Sequence, residues 1–260
     1  MNFADIQGLF WAAIPIVCAL WTMRLSRLGL AAQYPLLVTF LIGEILLNIC
    51  GFLVYRLAGA RSHLYLWFWS SSRVISSTLF FLVILQVYQR LVERYDGLRK
   101  LGQMVLYAAL VVASMIVLGS IFLDPSTDLR SLPGFWIVEE RSVYFALTAV
   151  ALSLVGFAVV FRLVPSRNVL ILFAVFGLLF IGQALVWTFR NFLGWDFRSA
   201  RQLVSTVLYF GCLLGGTVMF SRTGERLSRL APVASPERSK RGVARRLEEL
   251  NQALLNVFRL

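Results

Sequence analysis

Between residues 64 and 88 the chain reads LYLWFWSSSRVISSTLFFLVILQVY, and its only charge is Arg73. At a rise of about 1.5 Å per residue, a helix of this length crosses a hydrocarbon core about 30 Å thick. An arginine inside such a helix costs about 2.5 kcal/mol or more on insertion scales, so it persists where a partner or a polar interior receives it. The stretch therefore has two consequences. The chain is expected to be a membrane protein, with Arg73 meeting a partner or a polar interior.

Composition agrees. Hydrophobic residues make up 59% of the 260 residues and charged ones 15%, against about one-quarter charged in ordinary soluble domains. The excess is gathered into seven apolar runs, at about residues 9–23, 35–55, 64–88, 103–123, 138–163, 169–189 and 203–220. The expected fold is an all-α integral membrane protein, a seven-transmembrane helix bundle over residues 1–221. It leaves no room for a separate soluble catalytic domain. Residues 1–20 contain no Lys or Arg, so the basic segment of a secretory leader is missing. Pro15 is expected to kink the first helix. Pro35 stands where proline favours a helical first turn.

Orientation follows from the basic residues. Seventeen of the 25 Lys and Arg fall on the side reached by Arg24, Arg90, Arg162 and the tail, and seven on the other, with Arg73 between. The positive-inside rule then puts the N-terminus outside and the C-terminus in the cytoplasm. The arginine-rich composition points to a bacterial inner (plasma) membrane. Trp67, Trp69, Trp136, Trp187 and Trp195 are expected in an interfacial belt at the outer boundary.

After the bundle, residues 222–239 form a basic, proline-containing linker. Over residues 240–260 a cytoplasmic amphipathic helix is expected. Val243, Leu247, Leu250, Leu254 and Val257 are spaced 4-3-4-3, as in a coiled-coil seam. This helix (residues 243–260) can pair with a protein partner or with itself, lie on membrane lipid, or fold back on the bundle. Nearby basic residues favour anionic lipid by about 1 kcal/mol each. No nucleic-acid partner is expected.

The polar residues inside the apolar runs are the candidate ligand-binding site: Arg73, Glu44, Asn48, Ser77, Gln183, Trp187 and Tyr209. Glu44 and Asn48 are one turn apart, Ser70, Arg73 and Ser77 share a face, and so do Gln183 and Trp187, Gln202, Thr206 and Tyr209, and Glu140, Tyr144 and Thr148. Most fall in the outer half of the bundle. Glu44 lies near mid-depth and Arg73 about one turn outward, so the two are expected to pair across adjacent helices. The alternative, which weighs more, is that these groups are interhelical glue. Gly211-xxx-Gly215, with Gly216 beside it, permits close helix approach.

Catalytic and cofactor signatures are missing. There is no HExxH, GxSxG or P-loop, and Glu139 and Glu140 splay about 100° apart on a helix. Cys18, Cys50 and Cys212 lack CxxC partners, and His63 is the sole histidine, so no enzyme activity, metal or cofactor is expected.

Glu93-Arg94-Tyr95 resembles the (D/E)RY motif of G-protein-coupled receptors, but the seventh run has no NPxxY and no cysteine tops the third. Length, seven runs and an outside N-terminus resemble microbial rhodopsins, whose retinal is held by a lysine of the seventh helix. Here the lysines are Lys100 and Lys240, which excludes that linkage. In layout the chain resembles the seven-helix sensory modules of bacterial signalling proteins. That resemblance implies a sensory or receptor-like protein that binds a small or lipid-like ligand in the outer half and signals through its tail helix. A small-solute transporter or channel subunit, or a structural subunit of a larger complex, are the alternatives.

Overall fold

The computed structural model describes residues 3–59, 62–93, 102–104, 106–109, 111–115, 119, 132–161, 163, 165–193 and 198–225. Among them the regular structure is helical: α1 (Phe3–Arg27), α2 (Pro35–Ala58), α3 (His63–Val92), the shorter apolar α4 (Gly102–Met115), α5 (Leu132–Val160), α6 (Arg167–Leu193) and α7 (Arg198–Met219). Each covers most of one of the predicted apolar runs, α5 stopping three residues and α7 one residue short of the predicted end, and α4 covering 103–115 of the fourth. Among the described residues, five stretches are long and apolar enough to cross a membrane: Pro35–Ala58, His63–Val92, Glu140–Val160, Arg167–Phe189 and Ala200–Met219. The chain thus has the helices of a multi-pass membrane protein.

Local signals set several helix ends. Pro35 occupies the first turn of α2, where its missing N–H is no loss. The next donor, Leu36 N–H, is taken by the buried Gln86 Oε1 of α3 at 2.9 Å, which pins α2 to its neighbour. Gly59, at φ 80°, stops α2 in a conformation that disfavours a Cβ, and its N–H returns to Tyr55 O at 3.0 Å. Ser62 caps α3 by accepting from Tyr65 N–H at 3.1 Å.

The helices close into a ring in which α1 packs on α2, α2 on α3, α3 on α5, α5 on α6, α6 on α7 and α7 on α1, with α3 also touching α6 across the middle. Gly102, at the start of α4, lies against Tyr88 of α3 and Phe157 of α5. The centre is aromatic. Phe80 of α3 is its hub, with ring centroids 5.4 Å from Phe40, 5.5 Å from Phe180, 6.3 Å from Tyr144 and 6.2 Å from Tyr209. Large apolar residues such as Leu46, Leu152, Leu178 and Val218 are exposed on the ring's outside, as lipid-facing side chains are. Lipid supplies little drive for apolar helix faces to meet, so dispersion contacts and interior polar bonds hold the ring.

One end of the ring gathers the end of α1, the start of α2, the end of α3, the start of α6 and the end of α7. It is called the tail end here, and the opposite one the far end. At the tail end Arg24 donates to Phe220 O at 3.0 Å and Val218 O at 3.0 Å, satisfying carbonyls that the finished α7 leaves open.

The predicted glycine contact shifts by one residue. A Cβ on Gly211 or Gly215 would meet nothing within 4 Å, whereas on Gly216 it would lie 2.3 Å from Trp21 Cη2 of α1. Trp21 is fully buried and hemmed in by Phe176 and Phe220, so it has no room to yield. Gly216→Ala is therefore expected to destabilise the bundle by about 1–3 kcal/mol, the range for overpacking. Gly211→Ala is expected to leave the unfolding midpoint in detergent unchanged, and equal midpoints for the two variants would refute this packing.

Candidate functional site

Glu44 lies inside the ring with 5% of its surface exposed, where α1, α2, α3 and α7 converge. Its carboxylate accepts a hydrogen bond from the Ser76 hydroxyl of α3. Cys18 of α1 is near enough to be influenced electrostatically by it. The Tyr209 hydroxyl of α7, sealed from solvent, sits beside the same carboxylate without meeting hydrogen-bond geometry. A buried hydroxyl without a bond forgoes a contact worth about 1 kcal/mol and is rare in packed interiors. Asn48, one turn along α2, spends its amide on Glu44 O at 2.8 Å.

Arg73 behaves differently from expectation. Its ion pair is with Glu140 of α5, Nη1 to Oε1 at 3.2 Å, and not with Glu44. The side chains are 39% and 17% exposed, so the pair sits at the edge of the interior. The guanidinium also lies 5.0 Å from the Trp69 ring. Its charge still reaches Glu44 through space. The physical reason is depth. Arg73 is one turn nearer the far end than Ser76, and Glu140 opens the transmembrane stretch of α5 at that same end.

Gln183 and Ser205 bond reciprocally between α6 and α7: Gln183 Nε2 donates to Ser205 O at 3.1 Å, and Ser205 Oγ donates to Gln183 Oε1 at 2.6 Å. This is interhelical glue of the predicted alternative kind. One turn further, Trp187 is 2% exposed and carries the Arg201 guanidinium 4.1 Å from its ring. Trp187 therefore belongs to the interior and not to an interfacial belt, whereas Trp67 is exposed as a belt residue should be.

Of the seven predicted residues, then, the structure brings Glu44, Asn48 and Tyr209 together, with Arg73 one turn away. Gln183 and Trp187 form a separate α6–α7 seam. Ser77 lies next to the serine that makes the contact, Ser76. Sequence reading passed over Ser76 because the Ser70–Arg73–Ser77 face was drawn through its neighbour. It left Glu140 unpaired with Arg73, although the Glu140–Tyr144–Thr148 face held the signal.

A second polar cluster, unforeseen from the sequence, occupies the tail end. The Glu225 carboxylate takes the Tyr34 hydroxyl, Ser166 Oγ at 3.3 Å and Asn168 Nδ2 at 3.1 Å, all on Oε1. Asn168, 0% exposed, also brackets Ser221, donating to its carbonyl at 2.9 Å and accepting from its N–H at 3.3 Å. Arg90 lies 5.0 Å from the Tyr34 ring and donates to Gln33 O. Residues 222–225 thus form a helical turn held on the bundle rather than the first part of a free linker. The rest of the predicted linker, the 243–260 helix, Arg94, Tyr95, Lys100, Arg162, Trp195 and loop residues 124–131 lie outside the described residues, and so do the side chains of Trp136, Glu139 and Arg190.

Among the described residues no group of three or more His, Cys, Asp and Glu could hold a metal. The chain matches no protein-family model, no curated protein and no solved structure, so its own residues carry the functional reading.

Two outcomes follow from these clusters. A double-mutant cycle of Arg73→Gln with Glu140→Gln is expected to give a coupling of about 0.5–1.5 kcal/mol in unfolding, as for polar pairs between membrane helices. The corresponding cycle of Arg73→Gln with Glu44→Gln is expected to give a smaller value. Burial, then the bond to the Glu225 carboxylate, pushes the Tyr34 phenol above its ordinary value of about 10. A raised native value means that its contribution to stability is complete below about pH 10 and is lost as pH climbs through the native value. Melting curves from pH 8 to 11 are expected to fall less steeply for Tyr34→Phe than for wild type.

Proposed function

We propose that this chain is a seven-span bacterial inner-membrane sensor of receptor-like type, with its N-terminus outside and its tail in the cytoplasm. In this reading the far end faces outward. A small or lipid-like ligand binds in the outer half of the bundle, and the tail passes the response to a partner. The observation that carries it is the Glu44–Ser76–Tyr209 cluster. A carboxylate and a tyrosine hydroxyl outside hydrogen-bond geometry lie side by side among four helices, so a donor and an acceptor are buried together without being spent on each other. The Gln183–Ser205 pair shows what spent glue looks like, with both partners bonded.

The split charges of Arg73 and Glu140 at the outer edge support the same reading. Arg73 is neutralised there by its partner, so the ligand meets a dipolar rim rather than a bare cation. A ligand offering hydrogen-bond donors or an apolar body therefore suits the interior better than an anion. The ring of aromatic side chains around Phe80 supplies apolar walls. The transporter and structural-subunit readings require, respectively, solute flux and an interior indifferent to polar substitution.

The test is a thermal-shift screen of the purified protein in lipid nanodiscs against small polar molecules and lipids, with a parallel flux assay in vesicles. At least one ligand is expected to raise the wild-type midpoint by several degrees, as saturating binding does, and to leave a folded Glu44→Gln, Tyr209→Phe variant unmoved. A shift retained by that variant would remove the site. Solute flux abolished by the same substitutions would establish the transporter instead.

A further inference from the structure

The turn that begins the tail is held by side chains from two other parts of the bundle, and all three donors meet on one oxygen. Glu225 Oε1 accepts from Tyr34 in the α1–α2 connection and from Ser166 and Asn168 at the start of α6. A carboxylate oxygen has two lone pairs, so three donors saturate it. Hydrogen bonds weaken steeply with distance and angle. The set therefore closes only while the α1–α2 connection, α6 and the end of α7 keep one mutual position, and a shift of about 1 Å between them opens it.

The approach is also sterically specified. A Cβ on Gly224 would lie 2.5 Å from Asn168 Oδ1, so glycine is needed for the turn to come this close. Its N–H donates to Ser221 Oγ at 3.2 Å. Arg90 fixes the other side by holding the α1–α2 connection to α3.

From this grip a line of ring contacts runs back to the Glu44 cluster. Tyr34 meets Phe220 edge-on at 5.5 Å, Phe220 meets Trp21 at 5.8 Å, and Trp21 stacks on Phe176 at 6.4 Å. Phe176 meets Phe80 at 6.5 Å, and Phe80 meets Tyr209, whose hydroxyl sits beside Glu44. Packed rings of this kind are displaced as a body rather than compressed, because interiors have little free volume. Spatial continuity alone does not make a signal path, which requires an element with two discrete arrangements that both sites bias. The Glu225 grip, closed in this structure, is the element to which the proposal assigns a second, open arrangement.

We propose that the Glu225 grip is the coupling contact of this protein: closed, it docks the root of the tail on the bundle, and its opening is how a change at the Glu44 cluster reaches the tail. The proposal rests on the sensor reading and names its regulation.

The experiment is limited trypsin digestion of the full chain in nanodiscs, with cleavage after Arg222 and Arg226, which flank Glu225, timed by mass spectrometry. Tyr34→Phe keeps the ring and its contact with Phe220 while removing one donor, and Glu225→Ala removes the acceptor. Each is expected to speed cleavage at these two sites about tenfold, as the loss of a charged hydrogen bond predicts, with an unchanged rate at Arg56. Glu44→Gln is expected to change the wild-type rate at least about threefold, the scale of coupling between distant sites, and to have no effect in the Glu225→Ala background.

Cleavage as fast in wild type as in both grip variants would show that the grip is not closed and overturn the proposal. An equal Glu44→Gln effect in both backgrounds would also overturn it, leaving Glu225 as an anchor alone. A failed ligand screen with a non-additive cycle would count against ligand binding and not against the coupling. A successful screen with an additive cycle would do the reverse.

Discussion

A hydrocarbon medium solvates neither a backbone amide nor a charged side chain, and that constraint organises this molecule. Every polar group carried into the bundle must find its partner within the protein or at its edge. Helices answer the constraint for the backbone. For side chains it is answered by pairs between helices: Arg73 with Glu140, Ser76 with Glu44, Gln183 with Ser205, and Gln86 with the first free amide of α2. Because apolar faces gain little by leaving lipid for one another, these bonds and the dispersion contacts of the Phe80 cluster hold the ring. The position of each polar residue along its helix therefore helps decide which helix is its neighbour.

The two ends of the molecule solve this problem differently. At the far end Arg73 pairs with Glu140 at the edge of the interior, and the guanidinium groups of Arg73 and Arg201 lie over the Trp69 and Trp187 rings. At the tail end the polar groups are used to close helix termini. Arg24 caps α7, and Asn168 holds the chain just beyond it. In the middle, among the described residues, the accounting is incomplete at the Tyr209 hydroxyl, which lies beside a buried carboxylate, as it also is at Trp21 Nε1. Incomplete satisfaction inside an otherwise well-bonded interior is the physical ground for locating function there.

Much of the architecture was legible because it depends on periodicity and length alone. Within the described residues the apolar runs became helices, and Pro35 took the position its chemistry favours. The site was legible in part. Glu44, Asn48 and Tyr209 could be picked out because polar residues in apolar runs are few. Their partners could not, since Ser76 and Ser77 are the same residue type one position apart, and only the rotation of α3 about its axis chooses between them. Glu140 was visible as a charged residue at the start of α5, but its service to Arg73 requires α3 and α5 to be neighbours. The Tyr34–Ser166–Asn168–Glu225 grip was not legible at all. Its members come from three separate stretches of chain, and each alone reads as an ordinary boundary residue.

By itself the sequence determined that the chain enters a membrane, where its helices run and which few polar residues they carry inward. Those properties follow from the cost of exposing peptide groups and charge to lipid, and that cost is charged residue by residue. Only the tertiary structure decided that Arg73 meets Glu140, that Gly216 rather than Gly211 or Gly215 receives Trp21, and that the first turn of the tail is clasped by the bundle. Such choices depend on which helix faces which and on their relative rotation and depth. One-dimensional order leaves these open, and packing settles them together.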